Sequence, residues 1–163
     1  MGETGGDVPQ LAERVRALED EQEIVRLISS YGLAYDADGA GQGPRAEAIW
    51  TESGVYDAGE AVWRGRAEIA GMVEGEVHQG LIAQGVAHVL GVPTIRLNGD
   101  HAVATCYSRV LRNDPGGFSV WRVSANRWEL VRTPEGWRAA YRTVRSLNGS
   151  AEARALLGRA GED

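Results

Sequence analysis

Residues 86–144, VAHVLGVPTIRLNGDHAVATCYSRVLRNDPGGFSVWRVSANRWELVRTPEGWRAAYRTV, decide the fold. Three strand-like runs, Val86–Leu97, Ala102–Leu111 and Phe118–Arg132, are closed by a fourth, Gly136–Val144. Turn residues separate them at Asn98-Gly99-Asp100, at Asn113-Asp114-Pro115-Gly116-Gly117 and at Thr133-Pro134-Glu135-Gly136. The first and last are good hairpin signals.

Upstream, Pro9 to about Leu33 has helical spacing: Leu11, Val15 and Leu18, then Ile24, Leu27, Ile28 and Tyr31. Glu19, Asp20, Glu21 and Glu23 suit the electropositive start of a second helix. Residues 38–44, Asp-Gly-Ala-Gly-Gln-Gly-Pro, break the helix and form a loop, and a short helix, Arg45–Trp50, follows. Short strands are expected at Gly54–Asp57 and Ala61–Arg64. A helix is expected from Arg66 to about Ile82, with Ile69, Met72, Val73 and Val77 on one stripe. Helices first and an antiparallel meander last predict an α+β fold. A curved, mostly antiparallel sheet with helices on one face makes a cone whose mouth holds a small ligand. Residues 1–10 read as a tail, 11–149 as the domain, and 150–163 as a short C-terminal helix or tail.

The composition narrows the function. With 163 residues, 43% hydrophobic and 25% charged, the chain fits one globular domain. A net charge of −6 and dispersed arginines argue against nucleic acid, and no apolar run suits a bilayer. All 17 basic residues are arginine, so lysine Schiff-base chemistry is excluded. One cysteine, Cys106, suits a reducing cytoplasm, and with only His78, His88 and His101 beside it no metal site is expected. No phosphate-cradling glycine loop, nucleophile elbow or HExxH zinc motif occurs.

Four residues are the candidates to carry the chemistry. His88 shares a strand face with Val86, Leu90 and Val92. A histidine there is either a satisfied core group or a base in an apolar pocket, and the second role needs a carboxylate to fix its tautomer. Asp36 is the candidate carboxylate, although Asp36 or Asp38 could simply end the helix. Tyr31 lies five positions before Asp36, about 140° around the helical wheel, and also continues the core stripe. Arg142 sits between Ala140 and Val144, where it either points into the cavity to hold an oxyanion or forms a surface pair. Tyr56 is a further pocket donor. Asn126 and Trp128 share a face with Ser124 and Leu130, and Asn126 is placed to hydrogen-bond a substrate. His78 and His101 read as exposed and are given no role.

Tyr31-x4-Asp36, Ala87-His88, Asn98-Gly99-Asp100 with Ala102 and Ala104, and Gly136-Trp137-Arg138-x3-Arg142 together resemble the SnoaL-like branch of the nuclear-transport-factor-2-like superfamily. The likeness runs from about Leu11 to Leu147 and is closest in pattern to bile-acid 7α-dehydratase, scytalone dehydratase and hexachlorocyclohexane dehydrochlorinase. It implies a cone-shaped α+β barrel and cofactor-free elimination by an Asp36–His88 dyad, with Tyr31, Tyr56 and Arg142 in the pocket. The second active-site histidine of scytalone dehydratase has no clear match. The resemblance also implies a hydrophobic, steroid-like or polyketide-like small molecule as substrate and a homo-oligomer, trimeric or else dimeric. Isomerases, cyclases and non-catalytic proteins share the fold.

Overall fold

The computed structural model describes residues 7–37 and 46–161, so the expected tail over residues 1–6 and the loop over 38–44 lie outside the described residues. A long helix, α1 (Asp7–Asp36), comes first. After a 3-10 turn (Ala46–Ile49) follow β1 (Trp50–Asp57), β2 (Val62–Arg64), α2 (Arg66–Glu74) and α3 (Glu76–Gln84). The remaining elements are β3 (Val86–Leu90), β4 (Thr94–Asn98), β5 (His101–Asp114), β6 (Gly117–Thr133), β7 (Gly136–Ser146) and α4 (Ala151–Gly158). One seven-stranded sheet has the order β2-β1-β7-β6-β5-β3, with β4 also paired to β5. Every pairing is antiparallel except β1 with β7. The curved sheet leaves β2 and β3 as edges, so the α+β class holds while the expected barrel does not close.

Turn chemistry accounts for the meander. Asn98 pairs with His101 around Gly99, at φ +59°, and Thr133 pairs with Gly136, at φ +104°. Both glycines occupy backbone regions costly for a residue with a Cβ. Asp114 pairs with Gly117, which tightens the middle turn to Pro115-Gly116. The run expected as one strand over Val86–Leu97 is two strands, both on β5. Pro93 offers no N–H to the ladder, and the last bond before it runs from the Gly91 amide to the Tyr107 carbonyl at 2.8 Å.

Two helical expectations also change. The helix expected over Arg66–Ile82 breaks at Gly75, whose extended backbone (φ −68°, ψ 153°) ends α2 and starts α3. Val77 consequently leaves the apolar stripe and is 84% exposed, whereas Ile69 and Val73 are buried. Before them, α1 is one continuous helix that already includes Pro9 and Gln10. Its acidic run does not start a second helix. It anchors the helix to the sheet.

Asp20 accepts two hydrogen bonds from Arg132 (2.8 and 2.6 Å) and one from the Trp137 indole (3.1 Å), while Glu23 accepts from the Trp137 amide at 2.8 Å. The guanidinium of Arg132 also lies 4.6 Å from the Trp137 ring centroid. Beyond this clamp the N-terminal turns of α1 are not core: Leu11, Val15 and Leu18 are exposed, and the buried stripe begins at Ile24. It continues through Ile28, Tyr31, Ala34 and Tyr35 onto Trp50, Trp128 and Trp137. Each of those three indoles is fully buried, and truncation to Ala costs about 3–5 kcal/mol. On the other side of the sheet α4 packs on β5, β6 and β7, where Ala125 is fully buried.

The clamp predicts a pH dependence. Hydrogen bonds from Arg132 hold the Asp20 carboxyl below its ordinary range. Its stabilisation is therefore complete above the unfolded value of about 3.9 and is lost as pH falls through the lower folded value. Asp20→Asn will cost about 1–3 kcal/mol at neutral pH and will flatten the acid limb of stability against pH, as read by urea denaturation.

Candidate functional site

Where the last turns of α1 cross β3, Gly32 lies against the strand. A Cβ on Gly32 would overlap the carbonyl oxygen of His88, so only glycine permits this approach. The contact carries Asp36 onto His88. One carboxylate oxygen accepts from the His88 backbone amide at 2.7 Å and the other from the ring Nδ1 at 2.6 Å. A carboxylate only accepts, so Nδ1 carries the proton and Nε2 keeps its lone pair. Both side chains are mostly buried, at 15% exposure for His88 and 25% for Asp36.

His88 borders a cavity of about 600 Å³ that α1, α2, α3 and the sheet enclose between them, with Tyr31, Tyr35, Tyr56, Trp63, His78 and Arg142 in its wall. The rings of Tyr31 and Tyr35 lie tilted by 30° with centroids 3.9 Å apart, and Tyr56 stacks on Trp63 at 5.2 Å. Burial pushes the Tyr35 hydroxyl up to about 12. Burial likewise drives Tyr31 well above its usual value, against the pull of the Arg142 guanidinium. Both phenols are therefore neutral donors at physiological pH.

Arg142 faces inward, not to a surface pair. It is 3% exposed, and its guanidinium carbon sits 3.9 Å from the Tyr31 centroid, 4.3 Å from Trp128 and 5.0 Å from Tyr56. Its neighbours differ from those expected. A register shift leaves Ala140 outside the pairing while Ala139 pairs with Leu130 and Tyr141 with Glu129. The bulge turns Trp137 and Ala139 to the same buried side as Arg142 and Val144. Asn126 and Trp128 do not line the cavity. They lie behind it, where Asn126 accepts from Arg142 Nε (3.1 Å) and Nη2 (2.6 Å) and Trp128 backs the guanidinium. Substrate contact was the expectation for these two; of the three residues, Arg142 is the one that borders the cavity.

The sequence reading placed His78 at the surface, but it is 7% exposed and borders the cavity. Its Nε2 donates to the Tyr35 carbonyl at 2.9 Å, and its ring centroid lies 5.9 Å from that of His88. The available signal was its position three and four residues before Leu81 and Ile82 on α3, a helical face. Tyr35 was the other omission. One turn after Tyr31, it extends the same stripe to the cavity. His101 is exposed, as expected, and Cys106 is a buried thiol whose ionisation burial makes harder. Among the described residues no cluster of three or more His, Cys, Asp or Glu side chains could hold a metal, and no helix is long and apolar enough to cross a membrane.

The fold and this inward-facing constellation define an NTF2-like protein. Residues 16–143 match the SnoaL-like domain, and the chain belongs to that family, which includes polyketide cyclases and dehydratases. Among solved structures, an NTF2-like protein with a cystatin-like fold from Novosphingobium aromaticivorans is 46% identical, with a TM-score of 0.87 over 94% of this chain and 98% of that one. ActVI-ORFA from Streptomyces coelicolor shares the fold at 22% identity, with a TM-score of 0.64 over 78% of this chain and 94% of that one. Aln2 from another Streptomyces strain does so at 18% identity, with a TM-score of 0.65 over 85% and 93%. No curated protein matches the sequence.

The two pocket imidazoles have opposite tautomers, because each gives its proton to an oxygen that only accepts. Ring ¹H–¹⁵N spectra at pH above both titrations will show Nδ1–H on His88 and Nε2–H on His78. Asp36→Asn will move the His88 signal and leave that of His78 in place.

Proposed function

We propose that the chain is a cofactor-independent lyase of the dehydratase type, acting on a hydrophobic carbonyl compound with a steroid-like or polyketide-like frame. The reading rests on one observation: a carboxylate-held imidazole, 2.6 Å from Asp36, on the wall of a cavity that five Tyr and Trp side chains help to line. Nε2 of His88 takes the proton beside the carbonyl, and the C–H pair moves into the carbonyl as an enolate. Asp36 fixes the ring and stabilises the imidazolium that forms. Tyr31 and Arg142 donate to the developing oxyanion. The enolate then expels the β-hydroxyl, which leaves as water with the proton returned from His88. The carbonyl serves as the electron sink. Membership of a family that includes polyketide cyclases and dehydratases supports an enzyme at that coarser level.

The same base and donors serve isomerisation or aldol-type ring closure, and product mass separates them from dehydration, which removes one water. In an assay against hydroxy-ketones on fused-ring frames, the wild-type protein will yield the dehydrated product. His88→Ala will reduce turnover about 10²–10⁴-fold with an unchanged circular dichroism spectrum. Undiminished turnover in that variant removes His88 as the base, whereas ligands bound and never consumed by the wild type replace the lyase with the non-catalytic binding reading.

Self-association is part of the proposal. Leu11, Val15 and Leu18 form an exposed stripe on α1, and Phe118, Val120 and Trp121 are exposed on β6; a second copy of this chain is the partner proposed to cover them. Sedimentation at micromolar concentration will give a trimer or a dimer, and a single monomeric mass overturns this.

A further inference from the structure

The chain carries a net charge of −6, yet its cavity is basic. Arg109, Arg122 and Arg142 border it, Glu76 is the only carboxylate among the bordering residues, and none of the three arginines has an ion-pair partner among the described residues. Arg122 lies over Trp121 at 5.6 Å, and its Nε is buried without an acceptor.

Arg142 is the innermost of the three. Its Nε and Nη2 are both satisfied by the single oxygen Oδ1 of Asn126. The Asn126 amide nitrogen donates to Ser108 Oγ at 2.8 Å and to the Ser124 carbonyl at 3.4 Å, which fixes the orientation of the side chain. The other guanidinium nitrogen, Nη1, is buried with no acceptor at all. Three aromatic faces offset part of the cost of burying the cation. They supply neither a counter-charge nor a lone pair for Nη1. A buried cation and an orphan donor are each expensive, and one incoming oxyanion resolves both. A neutral carbonyl would satisfy the donor alone.

We propose that the cavity takes its ligand as an oxyanion, a carboxylate or phenolate on a hydrophobic ring frame, paired with the Arg142 guanidinium that borders the cavity. This rests on the cavity being the ligand site of the proposed function, and it deepens the substrate class to a carbonyl compound bearing a second, acidic oxygen. The seat is held from behind: Ser108 and Ser124 orient Asn126, Asn126 orients Arg142, and Tyr31, Tyr56 and Trp128 exclude water from the guanidinium. Asn126 is thus a positioning residue.

Calorimetric titration at pH 7.5 tests the seat without any turnover. The probes are 2-naphthoate against 2-naphthamide, and 2,4-dinitrophenolate against 2,4-dinitroanisole, each pair matched in frame and differing in charge. Wild-type protein will bind the anion of at least one pair tenfold or more tighter than its neutral partner, and the preferred pair tells carboxylate from phenolate. Arg142→Met will bring the ratio close to one. Asn126→Asp, which keeps the guanidinium and hands it a carboxylate, will do the same. Equal binding within both pairs by the wild type overturns the proposal, as does failure of both anions to bind at millimolar concentration. An anion preference that survives Arg142→Met also overturns it. The wild-type comparison can overturn the proposal by itself, and Arg142→Met and Asn126→Asp assign the preference to this guanidinium independently, so misfolding of one variant leaves the other to decide. An anion preference with no turnover of any hydroxy-ketone upholds the seat and removes the lyase.

Discussion

Asp36 holds His88 at two points, the backbone amide and the ring, and the rest of the site takes its position from that contact. Two bonds from one carboxylate tie the end of α1 to both the strand and the side chain, so helix and base move as one body. The geometry depends on Gly32, since any Cβ there would hold α1 off β3. With α1 seated, Tyr31 and Tyr35 fall on the cavity side of the helix and meet Arg142, which arrives from β7.

Near the middle of the helix the clamp is electrostatic and partly open to solvent. Arg132 is a third exposed and bonds Asp20 as well as Asp100. Its partner Trp137 is fully buried and gives its indole proton to Asp20. The two contacts serve different purposes. The Asp20 clamp fixes where α1 crosses the sheet, while the Asp36 contact sets the protonation pattern of the cavity. Charge is distributed accordingly: Asp20 and Glu23 of α1 hold the scaffold, Asp36 holds His88, and phenols, imidazoles and guanidinium groups border the cavity.

The buried polar groups around Arg142 form a relay that is complete on one side only. From Ser124 and Ser108 to Asn126 every hydrogen bond is made, and from Asn126 to Arg142 two more follow. At Nη1 the relay stops without an acceptor. In a well-packed interior such groups are normally paired, and an arginine surrounded by Tyr31, Tyr56 and Trp128 has little freedom to find another acceptor. The unsatisfied end is therefore built into the packing of the site.

Periodicity and turn chemistry determined the α+β class, the β5–β6–β7 meander and its hairpins, because strand alternation and glycine turns are local properties of the chain. Asp36 and His88 stood out for a similar reason: a carboxylate at a helix end and a histidine on an apolar strand are visible without knowing what they face. Where Gly75 and Pro93 divide elements, local signals were present but were outweighed by the apolar pattern running through them. Tertiary structure alone decided the rest. The parallel pairing of β1 with β7 and the bulge at Ala140 depend on partners distant in sequence, and the bulge determines which neighbours join Arg142 on the buried side. His78 looked like a solvated helical residue until the break at Gly75 turned α3 toward the cavity. Asn126 and Trp128 were seen to share a face, but whether that face lined the ligand or backed the arginine depended on the thickness of the layer in front of it. Sequence spacing fixes the side of a strand a residue occupies; only packing fixes its depth.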